Sequence, residues 1–137
     1  MKPNLIKIFK FIEDKTGKKL NSKQSFRLKL FHDPSSMTKE ELDIKGDLDL
    51  NSAQIKSLPN DLRVRGSLYL DYSKIKLLRN DLTVKGNLGL SGSKIESLPN
   101  DLTVGGYLDL ENTPISKKYT KEEIKKMVPK VKGSIYI

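Results

Sequence analysis

Residues 44–63 read IKGDLDLNSAQIKSLPNDLR, residues 64–83 read VRGSLYLDYSKIKLLRNDLT and residues 84–103 read VKGNLGLSGSKIESLPNDLT. They are one 20-residue unit written three times without a gap. A fourth unit opens as VGGYLDLENTPI at 104–115. A fifth opening, VKGSIYI, follows at 131–137, 27 residues after Val104, so the fourth unit carries seven extra residues. Self-similarity at a short fixed period marks a stack of like supersecondary units. A unit this small cannot bury its own apolar face and gains stability only against its neighbours.

Each unit begins with an alternating segment. In the second, Val64, Gly66, Leu68 and Leu70 alternate with Arg65, Ser67 and Tyr69. Period two predicts one strand per unit with one buried face, near 44–50, 64–70, 84–90, 104–110 and 131–137. On that reading Gly46, Gly66, Gly86, Gly106 and Gly133 face inward and leave room for close packing. A lone apolar residue follows each strand: Ile55, Ile75, Ile95 and Ile115. Units one and three then carry a Leu-Pro-Asn-Asp-Leu corner, where Leu58 and Leu62 point inward and Pro59, Asn60 and Asp61 turn the chain. Identical register sets the strands parallel and about 4.8 Å apart. The expected fold is an α+β solenoid of five parallel strands over residues 44–137. A mainly helical capping or recognition segment occupies residues 1–43, and a short helix near 120–128 precedes the last strand.

The pattern L-x-L-x-x-x-x-I-x-x-L-P, carried by Leu48, Leu50, Ile55, Leu58 and Pro59, resembles a leucine-rich repeat. The 20-residue form L-P-x-x-L-x-V-x-G-x-L-x-L is more closely similar to short repeats in small proteins of bacteriophages and some bacteria. The likeness covers residues 42–137, and NTPISKKYTKEEIKKMVPKVKGSIYI looks like the usual ending of that group. One departure matters. Leucine-rich repeats place Asn where this chain has Ala53, Ser73, Ser93 and Thr113, so their buried amide ladder is missing, and horseshoe curvature does not carry over with the repeat. The resemblance implies a recognition scaffold. Its phage-like form implies a protein in the host cytoplasm that binds and inhibits or redirects a host complex, with a counter-defence (anti-CRISPR-type) inhibitor as the specific version.

The flanks do not repeat. Leu5, Ile8, Phe9 and Ile12 fall at helical spacing, Pro3 suits a first turn and Lys18–Lys19 suit a helix end. In NSKQSFRLKLFHD, Phe26, Leu28 and Leu30 alternate, whereas Ser22 fits a helix cap; the alternation favours an extended or mixed segment. Thr38 and Glu41 form a capping box, with Met37 and Leu42 as its hydrophobic staple. The same grammar recurs at Tyr119–Ile124, starting a helix that runs to about Val128 and stops at Pro129. The segment before the repeats is expected to cap the first coil. The alternating Val131, Gly133, Ile135 and Ile137 predict a strand at the sheet edge, a template for strand addition or a homodimer.

Composition narrows the function classes. The chain has 137 residues and no cysteine, which excludes disulfides, thiolate metal sites and cysteine nucleophiles. It also suits a reducing, cytoplasmic setting. The one histidine, His32, cannot build a histidine metal site alone. No apolar run is long enough to span a bilayer, and no signal-peptide core is present, so no membrane association is expected. The net charge of +9 invites a nucleic-acid reading. Its placement narrows that reading. Residues 1–43 hold ten basic and six acidic side chains, residues 44–110 nine and eight, and residues 111–137 seven and three. The repeat body is nearly neutral and the excess lies at the ends.

Outward strand positions line up as columns. The first is Lys45, Arg65, Lys85, Gly105 and Lys132; the second Asp47, Ser67, Asn87, Tyr107 and Ser134; the third Asp49, Tyr69, Gly89, Asp109 and Tyr136. Solenoids bind through such rigid faces, and tyrosine and arginine are common interface anchors. Lys45, Arg65, Lys85, Tyr69, Tyr107, Lys132 and Tyr136 are therefore the candidate partner-binding residues, facing a protein with an acidic surface. Nucleic acid held by lysines of the terminal segments is the alternative. The pairs Asn60–Asp61, Asn80–Asp81 and Asn100–Asp101 read as turns, since one carboxylate per unit is too sparse for calcium. His32–Asp33 reads as a turn in FHDPSS. No phosphate-cradling glycine motif is present, and no pair of positioned carboxylates stands out for acid–base work. A non-catalytic module without cofactor or metal is expected.

Overall fold

The computed structural model describes residues 3–137, and the side chains of residues 5–21 and 24–137. The chain divides into two compact units, one ending at Glu41 and one spanning Leu42–Ile137. Among the described residues no helix is long and apolar enough to cross a membrane.

The first unit is helical: α1 is Pro3–Thr16, α2 is Ser22–His32, and a single 3-10 turn, Pro34–Ser36, leads towards α3, Lys39–Leu42. Leu5 is buried and Ile8, Phe9 and Ile12 are half-buried, the face marked by their spacing. Gly17 ends α1 with φ +70° while its N–H bonds the Glu13 carbonyl at 2.8 Å, a left-handed cap that glycine adopts without strain. The extended or mixed segment expected after it is instead α2. Its start is fixed by Asn21, whose Oδ1 accepts from the Gln24 N–H at 2.9 Å while the Asn21 N–H donates to Gln24 Oε1 at 3.0 Å. That reciprocal cap outweighs the alternation of Phe26, Leu28 and Leu30, of which only Leu30 is fully buried. The Thr38–Glu41 box is present, with bonds of 3.3 and 3.2 Å, and Glu41 also pairs with Lys29 at 2.9 Å. Partial burial pushes the Glu41 carboxyl up, but the Lys29 and Thr38 hydrogen bonds more than offset it and leave its pKa below the usual range.

The second unit is a parallel β-solenoid. Its strands are β1 Asp43–Ile44, β2 Leu48–Asp49, β3 Arg63–Val64, β4 Leu68–Tyr69, β5 Thr83–Val84, β6 Leu88–Gly89, β7 Thr103–Val104, β8 Leu108–Asp109 and β9 Ile135–Tyr136. They form two sheets, β1-β3-β5-β7 and β2-β4-β6-β8-β9. Register advances by 20 residues per coil: Leu48 pairs Leu68, Leu68 pairs Leu88 and Leu88 pairs Leu108; Leu108 then pairs Ile135 across the longer coil. The five parallel strands expected are the second sheet. The single seven-residue strand per unit is corrected: the chain bends between Val64 and Leu68, and at each equivalent place, so each of the first four units contributes one short strand to each sheet, and the fifth adds β9 to the second sheet and a single bridge, Val131 to Val104, to the first. Alternation persists through the bend because both arms turn their aliphatic side chains to the same interior. Leu50, Leu68, Leu70, Ile75, Val84, Leu88, Leu90 and Ile95 are all at most 1 % exposed.

The bend explains the glycines, which do not face the core as the alternation suggested. Gly46 and Gly133 are exposed and Gly66, Gly86 and Gly106 half-buried. Their N–H groups bond the glycine carbonyl one coil earlier: Gly66 to Gly46 at 3.1 Å, Gly86 to Gly66 at 2.9 Å, Gly106 to Gly86 at 2.9 Å and Gly133 to Gly106 at 3.0 Å. A Cβ on Gly86 would lie 2.6 Å from Ser67 Oγ and 2.8 Å from the Gly66 carbonyl carbon. Glycine is required there by the approach of one backbone to the next. Gly46, in the first coil, has nothing within 4 Å of such a Cβ.

A second periodic constraint follows the second sheet. Ser52, Tyr72, Gly92 and Asn112, one per coil, all have positive φ, between 58° and 68°. The next residue's N–H, from Ala53, Ser73 or Ser93, bonds the carbonyl of Leu50, Leu70 or Leu90 and closes a tight corner. The Ser73 and Ser93 hydroxyls are buried without a partner. Thr113 differs: its hydroxyl donates to the Leu110 carbonyl at 2.6 Å and accepts from the Ser116 N–H at 3.2 Å. That cap starts α4, Pro114–Lys118, which the repeat pattern did not announce. α5, Lys121–Met127, follows with the expected Thr120–Glu123 box and ends before Pro129. The extra residues of the fourth coil are thus folded as helix, with Ile115, Ile124 and Val128 buried.

The glycine column yields a paired prediction. Gly86→Ala forces a shift between coils and should lower stability by about 2 kcal/mol, the usual scale of overpacking. Gly46→Ala, with open space around it, should leave the urea midpoint unchanged. Equal midpoints for the two variants would contradict the stacking.

Candidate binding face of the solenoid

The third expected column is present as a register column: Asp49 opposes Tyr69, Tyr69 opposes Gly89, Gly89 opposes Asp109 and Asp109 opposes Tyr136. The first column follows one step outside the first sheet. Lys45, Arg65, Lys85, Gly105 and Lys132 are all exposed, and the N–H groups of Arg65, Lys85, Gly105 and Lys132 bond the carbonyls of Ile44, Val64, Val84 and Val104. Hydrogen-bonded backbone therefore sets one column position per coil, basic in every coil but the fourth, which has Gly105. Arg65 is engaged already: its Nε and Nη2 donate to the two Asp43 oxygens at 3.0 and 2.7 Å. That fork holds the Asp43 carboxyl below its ordinary pKa and raises that of Arg65. Lys45, Lys85 and Lys132 make no ion pair among the described residues.

The second column works within the fold. Asp47 Oδ1 accepts from the Ser67 N–H at 2.7 Å, Ser67 Oγ from the Asn87 N–H at 3.0 Å, and Asn87 Oδ1 from the Tyr107 N–H at 2.9 Å. Side chains thus satisfy the backbone donors of the next coil where the bend interrupts both sheets. The series ends at Tyr107, whose side chain cannot repeat it and turns to the surface. A parallel series runs at the next corner, where Asn51 Oδ1 accepts from the Asp71 N–H at 2.8 Å and Asp71 Oδ1 from the Ser91 N–H at 2.9 Å. Neither series was read from the sequence, although the run of small acceptors Asp, Ser, Asn at 20-residue spacing was its visible sign.

Tyr69 and Tyr136 lie in one register column of the second sheet, three strands apart, and Tyr107 immediately precedes β8. Tyr107 and Tyr136 meet edge to face, with centroids 5.6 Å apart and planes at 74°. Burial raises the Tyr107 hydroxyl above its ordinary pKa, and neighbouring Tyr69, Asp109, Asp71 and Tyr136 add to the effect. Gly89 leaves the space between them open on one side, and Asp71 fills it: a Cβ on Gly89 would lie 2.9 Å from Asp71 Oδ1. Desolvation is the main cause that raises the Asp71 carboxyl, with Asp109 and Asp49 also acting in that sense, against the Ser91 hydrogen bond. This sheet therefore presents the Tyr107–Tyr136 pair with three interacting carboxylates, while the lysine column follows the first sheet across the bend.

The other candidates resolve as local structure. The Asp61 N–H donates to Asp81 Oδ2 at 3.0 Å, so the first two Asn-Asp corners bond between coils, and Asp101 of the third pairs with Lys130 at 3.4 Å. Among the described residues no group of three potential metal ligands gathers. His32 is exposed at the end of α2, while the buried Asp33 accepts directly from the Ser35 hydroxyl at 3.1 Å. The imidazole does not bridge them, unlike a nucleophile–base relay. No protein-family model, curated protein or solved structure matches this chain, and the fold and its surface carry the functional reading.

Asp71→Asn tests the electrostatics of the face. An amide keeps the acceptor for Ser91, as Asn51 shows one coil earlier, and removes a carboxylate whose folded pKa is raised. The wild type bears this penalty when Asp71 is charged. The variant should thus be the more stable at neutral pH. Its advantage should fade as pH falls through the raised folded pKa towards 3.8, where the wild type is protonated in both states. A stability difference independent of pH, followed by urea unfolding, would contradict this placement.

Proposed function

We propose that the protein is a non-catalytic protein-binding module, with the tyrosine-bearing sheet and its lysine column as the docking face. The observation that supports this most is the common register. It holds Tyr69 and Tyr136 in one column of the second sheet, with Tyr107 packed on Tyr136, while Lys45, Lys85 and Lys132 follow the first sheet. Preformed aromatic anchors bind at low entropic cost. The partner is a protein whose contact surface is acidic opposite the lysine column. The carboxylates Asp49, Asp71 and Asp109 select against acidic groups over the tyrosines themselves, so the partner's charge is patterned to match. The likeness of the repeats to short leucine-rich-repeat-like units in small proteins of bacteriophages and some bacteria supports a narrower version, in which the protein binds and inhibits or redirects a host complex. A counter-defence inhibitor of the anti-CRISPR type is its most specific form.

The test is capture from a bacterial lysate on immobilised protein, with and without nuclease, at low and raised salt. A protein retained after nuclease and at raised salt supports the reading. Tyr107→Ala and the exposed Tyr136→Ala should each weaken its binding by about tenfold or more, with thermal unfolding as the control for fold. Retention that vanishes with nuclease, or that falls with salt as steeply as phosphate contacts demand, replaces it with nucleic-acid binding. Retention untouched by both tyrosine variants moves the interface off this face.

A further inference from the structure

The third side of the coil, the return segment between the tight corner and the Asn-Asp corner, carries a groove of about 690 Å³. Lys56, Lys74, Lys76 and Lys94 line it, with Leu77 and Pro114. Leu77 is 58 % exposed, while Ile75 beside it is fully buried, so the leucine adds nothing to the core. None of the four lysines makes an ion pair among the described residues. Glu96 is the one carboxylate in the lining, leaving an excess of three positive charges around an apolar floor.

We propose that this groove docks an acidic polypeptide segment that places an aliphatic side chain on Leu77. Four ammonium groups around a leucine complement carboxylates around an apolar side chain, and the lysine stems extend the apolar contact. A nucleic acid fits less well: the lining offers no aromatic ring to stack a base and no arginine to fork a phosphate. The groove is independent of the tyrosine face. It uses different residues of the repeat: Lys56 and Lys76 are one 20-residue repeat apart, as are Lys74 and Lys94.

Fluorescence anisotropy with three labelled probes tests the proposal on the full chain: a short peptide alternating glutamate and leucine, oligoglutamate of the same length, and oligothymidylate. The mixed peptide should bind saturably, and oligoglutamate about tenfold more weakly. Lys74→Glu with Lys76→Glu should weaken the mixed peptide by about tenfold or more, and Leu77→Ser by about fivefold. All three positions are exposed, and circular dichroism confirms the fold of the variants. Tyr136→Ala should leave this binding unchanged, which separates its failure from failure of the tyrosine face. Tighter binding of oligothymidylate than of the mixed peptide, indifference to Leu77→Ser, or absence of saturable peptide binding would each overturn the proposal.

Discussion

Successive coils meet backbone to backbone along the column of glycines at the bend of each coil. Four N–H to carbonyl bonds of 2.9 to 3.1 Å run along it, from Gly66 to Gly133. A methyl group at Gly86 would already collide with the coil below. This contact fixes the rise from one coil to the next and leaves no freedom for a register slip. A slip would break the glycine bonds and misplace the aliphatic side chains on both arms of the bend. The paired sheets, the buried leucines and the surface columns all inherit their spacing from it.

Polar side chains complete what the sheets leave open. Two-residue strands pair only a fraction of the backbone, and the corners between them would strand their donors. Asp47, Ser67 and Asn87 on one side of the second sheet, and Asn51 and Asp71 on the other, each accept an N–H of the following coil. These residues look like an ordinary solvated face in a one-dimensional reading. In the fold they are structural, so the surface free for recognition contracts to the tyrosines, the lysine column and the return segment.

The repeat made the register legible. Because the unit recurs without a gap over residues 44–103, the pairing of Tyr69 with Asp49 and Gly89 follows from counting alone. The bend was not legible, since an inward valine, a glycine and two inward leucines give the same alternation whether the chain runs straight or turns. α2 was misread for a related reason: Phe26, Leu28 and Leu30 alternate by accident, and the deciding signal was the Asn21–Gln24 pair, outside the apolar pattern. The lysine groove does not show in the strand columns. Its residues sit in the return segment, which has no period of its own to show which side chains share a side.

The central claim is that coil-to-coil contact at the glycine column holds the solenoid as one cooperative stack. Amide hydrogen exchange followed residue by residue by NMR tests it most directly. The account predicts that the N–H groups of Gly66, Gly86 and Gly106 exchange slowly and with a common opening free energy, together with those of Ser67, Asn87 and Tyr107 beside them. Exchange of these six amides at the rate of an unstructured peptide, while those of buried Leu68 and Leu88 stay protected, would contradict it.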